Sequence, residues 1–139
     1  MNTVSVMQPY FFPYFGVFEL IKKSNVHVVL DNVGFRKKGF INRNYLMYGG
    51  VRHNFNLKIN KISQNKKIRD HTIFDNSENF LSLFSRLDLE RSYKSDITEI
   101  LRDAKDKSVS DILSKLLERT MKELDMKTPI LYASDIYVD

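Results

Sequence analysis

The chain has 139 residues, 42% of them hydrophobic and 28% charged, enough apolar material at the usual size of one domain to bury a real core. Sparse Gly (5) and Pro (3) argue against a fibrous or disordered chain, and the lack of cysteine excludes disulfides, thiol nucleophiles and Cys-ligated zinc or iron–sulfur clusters. The net charge of +5 is unevenly spread, with +9 over residues 1–70 and −4 over residues 71–139, so the first half points to an anionic ligand such as a nucleotide, a phosphorylated sugar or nucleic acid.

The first 18 residues are free of charge but are broken by Pro9 and Pro13 and lack a basic start. They read as neither a membrane span nor a signal peptide, and a cytoplasmic protein is expected. Val4–Met7 reads as a short strand. After a loop over Gln8–Pro13, the dense apolar run Tyr14, Phe15, Val17, Phe18, Leu20 and Ile21 fits a short buried helix, with Pro13 in its first turn. Val26–Leu30 is a buried strand interrupted only by His27, parallel to the first if the helix is a crossover. Right-handed connection then puts the Gln8–Pro13 and Asp31–Phe35 loops at one edge of the sheet.

Tyr45–Tyr48 and Val51–Ile59 flank Gly49-Gly50, the pattern of a tight hairpin. Residues 60–70 are polar and basic, a loop or an edge, and His71–Phe74 could form another short strand. Three helices follow. Asn76 or Ser77 caps one bearing Phe80, Leu81, Phe84 and Leu87, and Ser95 caps one bearing Ile97, Ile100, Leu101 and Ala104. Ser108 with Asp111 resembles a capping box before the clearest 3.6-residue stripe, Val109 to Leu124. Pro129–Ala133 reads as a further strand. The expected fold is α/β: a β–α–β start of a mainly parallel sheet, a hairpin, a helical segment and a last strand, all in one domain over 1–139.

Motifs for phosphate-binding loops, dinucleotide folds, zinc hydrolases and serine hydrolases are absent. His27, His53 and His71 share no metal-ligand spacing, no metal site is expected, and His27 reads as a satisfied core histidine. What remains is a constellation at one sheet edge. It comprises Gln8 between prolines, Gly16, Asp31, the run Phe35-Arg36-Lys37-Lys38-Gly39, and Asn42-Arg43-Asn44. Ligands of open parallel sheets bind beyond the carboxyl ends of the strands. Exposed Tyr10, Phe11, Phe12 and Tyr14 beside Arg and Lys would suit a flat ring carrying a phosphate or carboxylate.

The run Met7-Gln8-Pro9-Tyr10-Phe11-Phe12-Pro13-Tyr14-Phe15-Gly16, then Leu20-Ile21, Val28-Val29-Leu30-Asp31 and Asn42-Arg43-Asn44, resembles the amino-terminal half of the WbqC-like family. The resemblance is strongest over 6–44 and weaker up to Ser134-Asp135. The family occurs in bacterial gene clusters for O-antigen and other surface glycans. Membership implies binding of an activated sugar or an acyl or aminoacyl donor, and acyl or aminoacyl transfer to an amino sugar, with no cofactor specified. By position, the implied binding residues are Gln8, Pro9, Pro13, Gly16, Lys37, Asn42, Arg43 and Asn44, with Asp31 as general base. The chain departs from the family pattern at Asn32, where a second Asp is usual, and at Gly34, where Gln is usual. The β–α–β start also resembles nucleotidylyltransferase-type folds, but residues 8–16 lack their His-x-Gly-His.

Family members run on well beyond Asp139, so a shortened domain is expected, one that self-associates through residues 109–138 or pairs with a chain supplying the missing half. The alternatives to transferase chemistry are a non-catalytic subunit and a basic nucleic-acid-binding module. The latter has no recognised motif and no dense basic stripe.

Overall fold

The computed structural model describes residues 2–136. Strand β1 (Val4–Met7), helix α1 (Phe15–Lys22) and strand β2 (Val26–Val29) form the β–α–β unit. β1 pairs with β2 in parallel, Val4 opposite Val26 through Met7 opposite Val29. The last strand, β5 (Ile130–Tyr132), joins the other side of β2 in parallel, giving the order β1-β2-β5. Between β2 and β5 lie the hairpin β3 (Arg43–Tyr48) and β4 (Val51–Asn56), then α2 (Glu78–Phe84), α3 (Arg91–Arg102) and α4 (Val109–Glu123). A short α5 (Ala133–Ile136) follows β5. The architecture is mixed α/β, with a three-stranded parallel sheet beside an antiparallel hairpin.

Local chemistry explains most elements. Gly49 and Gly50 both take positive φ, the backbone that a two-residue hairpin turn demands. Beyond the hairpin, Phe55, Leu57 and Ile59 turn inward and Asn54, Asn56 and Lys58 alternate with them. α4 buries Val109, Ile112, Leu113, Leu116, Leu117 and Met121 along one side, so the apolar helix face expected to lie uncovered is covered by the protein's own core. β5 does remain at the sheet's edge among the described residues. Tyr137 and Val138, assigned to the same exposed end, lie outside the described residues.

Other expectations are corrected. α1 is amphipathic rather than buried: Val17 and Ile21 face inward, whereas Phe15 is 75% exposed and Leu20 also faces solvent. One sheet face and α4 cover only one side of so short a helix. Conversely Phe11 is 1% exposed and Phe12 half-buried, because both rings enter the aromatic core against Phe80. The residues expected as a strand over His71–Phe74 make only isolated bridges, to Ile59, Ser108 and Lys105. α3 starts earlier than Ser95: the Glu90 carboxylate accepts from the Ser92 and Tyr93 amides and caps it. Ser108 precedes α4 as expected, but its hydroxyl donates to the Arg69 carbonyl instead of capping the helix. His27 is the expected core histidine, buried with Nδ1 2.8 Å from the Ser5 hydroxyl.

Candidate functional site

The site is assembled where the parallel strands end. After β1 the chain forms the loop Gln8–Tyr14, and Phe12 there takes a φ of 53°, a left-handed backbone that a bulky side chain adopts only when held. Two things hold it. Its ring stacks on Phe80 at 5.3 Å, and the Asn44 carboxamide donates to the carbonyls of both Phe11 (2.8 Å) and Phe12. The Phe11 amide also donates to the Phe40 carbonyl at 3.1 Å. The proline loop and the segment 40–44 are therefore one unit.

Asn42, Arg43 and Asn44 are not a turn. Arg43 and Asn44 open strand β3, and each side chain in the triplet fixes a different neighbour. Asn42 is buried, donates to the Leu57 carbonyl at 3.3 Å, and leaves its own Oδ1 buried without a partner. Arg43 is exposed, and its guanidinium donates to the carbonyls of Lys38 and Gly39, closing the loop that carries Lys37. Lys37 itself is exposed. Gln8, Pro9 and Pro13 line a small enclosed cavity together with His27. Burial holds the His27 imidazole below its ordinary pKa of 6.5, so the cavity wall there is uncharged near neutrality. Gly16 lies under the Tyr14 ring, where an added Cβ would come within 2.5 Å of Cε2.

Asp31 sits two residues past β2 and is buried. Its carboxylate accepts from the Ser134 amide at 2.9 Å and from the Ser134 hydroxyl, joining the end of β2 to the start of α5. Among the described residues it makes no hydrogen bond to Gln8, Asn42, Arg43 or Asn44. Its proximate chemistry is with Ser134, a residue that stands in the sequence only at the end of the family resemblance, with no role implied.

The fold adds cations that sequence spacing did not assign to this edge. The segments 31–35 and 66–69 run side by side: Phe35 N–H donates to the Lys66 carbonyl, Ile68 N–H to Val33, and Arg69 N–H to Asp31. Lys66, Lys67 and Arg69 thereby join Arg36, Lys37 and Lys38. The departure at Gly34 has a physical counterpart here, since a Cβ at this position would meet the Gln64 carbonyl oxygen at 3.0 Å. The buried imidazole of His71 fixes the second segment, bonded to the Lys67 carbonyl and the Ser63 amide and resting on the Phe35 ring at 4.7 Å. Among the described residues no group of three or more His, Asp or Glu side chains is placed to hold a metal, and no helix is long and apolar enough to cross a membrane.

A short parallel sheet whose carboxyl edge is closed by a proline-aromatic loop and an Asn-Arg-Asn strand start defines the class of α/β protein. The model of the WbqC-like protein family matches residues 8–139, and the chain belongs to that family. No curated protein and no solved structure matches it.

Proposed function

We propose that the protein binds the anionic part of an activated sugar, or of an acyl or aminoacyl donor, at this edge, and serves bacterial surface-polysaccharide biosynthesis. The observation that carries the reading is the gathering of Arg36, Lys37, Lys38, Lys66, Lys67 and Arg69 on two cross-bonded segments. A net positive field, these cations against Asp31 and Asp70, raises the local concentration of an anionic ligand around a rigid loop. In this reading Lys37 and its neighbours meet the phosphate or carboxylate. Arg43 and Asn44 act mainly by holding the Lys37 and Gln8 loops in shape, Gln8 offers its carboxamide to the ligand's polar atoms, and Asn42 has only its unpartnered Oδ1 to offer. Pro9, Pro13 and Gly16 shape the loop. Asp31 is the candidate base, and the proton within its direct reach is that of the Ser134 hydroxyl.

Calorimetric titration with a set of nucleotide sugars tests this. The expected result is binding that weakens about tenfold in a Lys37→Ala, Lys66→Ala double variant, consistent with the loss of two charge-assisted contacts. Asp31→Asn should retain binding. No binding by any member of the set, or equal binding by the wild type and the double variant, overturns the site. Tighter binding of single-stranded RNA than of any nucleotide sugar, falling steeply with salt, would replace this reading with the nucleic-acid one.

A further inference from the structure

A second concave region differs in chemistry from the basic edge. A hollow of about 450 Å³ lies between the end of the hairpin and the start of α2, a size typical of small-ligand sites. Asn54, Asn56, Asn76 and Asn79 line it, with Phe55 and the largely buried Phe80 beside them. A neighbouring hollow of about 430 Å³ shares Asp75 and Asn76 with it, and the two adjoin there as a double groove. The exposed ring of Phe74 lies in this second part. Charges along the groove nearly balance. Lys58 pairs with Asp75 at 3.7 Å, Glu78 stands nearby, and Arg102 and Lys105 lie opposite Asp106.

Ser77 sets this groove apart from an ordinary surface depression. It is buried in the hollow with a φ of 57°, and its hydroxyl has no hydrogen-bond partner. It does not cap α2. Its amide donates to the Asp75 carboxylate at 3.1 Å, which fixes the turn without the hydroxyl. Glycine would adopt this backbone without strain, and a buried hydroxyl bonded to nothing is a cost to the fold. The fold therefore gains nothing from serine here, whereas a ligand seated in the hollow could.

We propose that this groove binds a neutral saccharide. A carboxamide both donates and accepts, as a sugar hydroxyl does, so Asn56, Asn76 and Asn79, together with Asn54 whose Oδ1 accepts from Arg52, suit the hydroxyls of a pyranose. Asp75 and Glu78 accept further hydroxyl protons, and the Phe74 ring offers a flat apolar face to the C–H side of the sugar. With its charges balanced, the groove offers no net attraction to a phosphate or a polynucleotide. The proposal is independent of the ligand assigned to the basic edge, because none of its residues belongs to that edge.

Titration of the full ¹⁵N-labelled chain with maltotriose, diacetylchitobiose, galactose and rhamnose, up to tens of millimolar, tests it through the side-chain amide resonances. Saturable shifts of the Asn54, Asn56, Asn76 and Asn79 carboxamides with at least one of these sugars are expected. Affinity should fall about tenfold in Asn76→Ala and in Ser77→Gly. Ser77→Gly should do so without lowering the melting temperature, so that lost binding is separated from lost fold. Lys37→Ala should leave the shifts intact. The proposal is overturned by the absence of saturable shifts with all four sugars, by affinities that neither groove substitution changes, or by shifts that map to the basic edge instead.

Discussion

The two packed regions of this protein are built from different materials. The layer between the sheet and its helices is aliphatic: Val17 and Ile21 of α1 and Leu117 and Met121 of α4 meet Val29 of β2. The larger core adds to its aliphatic residues an aromatic cluster that the sheet layer lacks. Phe80 sits with its ring centroid 5.2 Å from Phe11, 5.3 Å from Phe12, 5.2 Å from Phe55 and 5.4 Å from Phe84. Aliphatic side chains suffice where regular elements stack face to face. Loops with irregular backbones leave wider gaps, and broad rings fill these while adding favourable edge and offset contacts. The aromatic core is thus what makes the candidate edge rigid, because it anchors the loop that carries Gln8 and the strained Phe12. α4 belongs to both regions, giving Ile112, Leu113 and Leu116 to one and Leu117 and Met121 to the other.

Removing the central ring gives the sharpest test of this contrast. Phe80→Ala should destabilise the protein by about 3–5 kcal/mol and raise hydrogen exchange at the Phe11 amide, which bonds to Phe40 in the intact loop. Denaturant unfolding with exchange mass spectrometry reads both, and an unaltered proline loop would show that the ring does not anchor it. Ile21→Ala, in the aliphatic layer and fully buried, should cost about 2–5 kcal/mol. It should leave a single transition, since α4 couples the regions. Separate transitions by far-ultraviolet dichroism and tyrosine fluorescence would break the comparison into two independent units.

A smaller change separates loop anchoring from packing. Asn44→Ala removes two donated hydrogen bonds and should cost about 1–3 kcal/mol, with nucleotide-sugar affinity falling although the ligand-facing cations are untouched. Full affinity with reduced stability would mean the loop shape does not matter to binding.

The smallest effect is on pH dependence. Burial lowers the His27 pKa below 6.5 in the folded protein, so in the interval just below 6.5 the unfolded chain binds the proton that the folded chain refuses. The contribution of His27 is therefore fully present above 6.5 and is lost as pH falls through the folded-state value. In His27→Gln the fall in stability over that interval should flatten. Parallel pH profiles for the two proteins would show that His27 is not the group responsible.

Much of the frame is legible residue by residue. The apolar run Val26–Val29, the Gly49-Gly50 pair and the 3.6-residue stripe from Val109 to Met121 each specify an element through local sterics and periodicity, and each element is where its residues place it. The Gln8–Pro13 and Asp31–Phe35 loops were also legible as neighbours, because a crossover between parallel strands puts both at one sheet edge. The roles of individual residues there were less visible. Arg43 and Asn44 look like ligand-binding side chains in the sequence, yet they spend their donors on backbone carbonyls of adjacent loops.

The sequence by itself determined which short segments form strands, turns and helices, and that the first half is basic, since these depend on neighbours a few positions apart. Only the tertiary structure decided that Phe11 and Phe12 are core while Phe15 faces solvent. It alone put Ser134 on Asp31, brought the 66–69 segment beside 31–35 and gathered four asparagines around Ser77. An aromatic ring in a loop has no periodicity to reveal its side, and a hydrogen bond between distant segments leaves no spacing rule in the chain. Both are settled by which surfaces remain to be buried, and which donors remain to be satisfied, once the regular elements have packed.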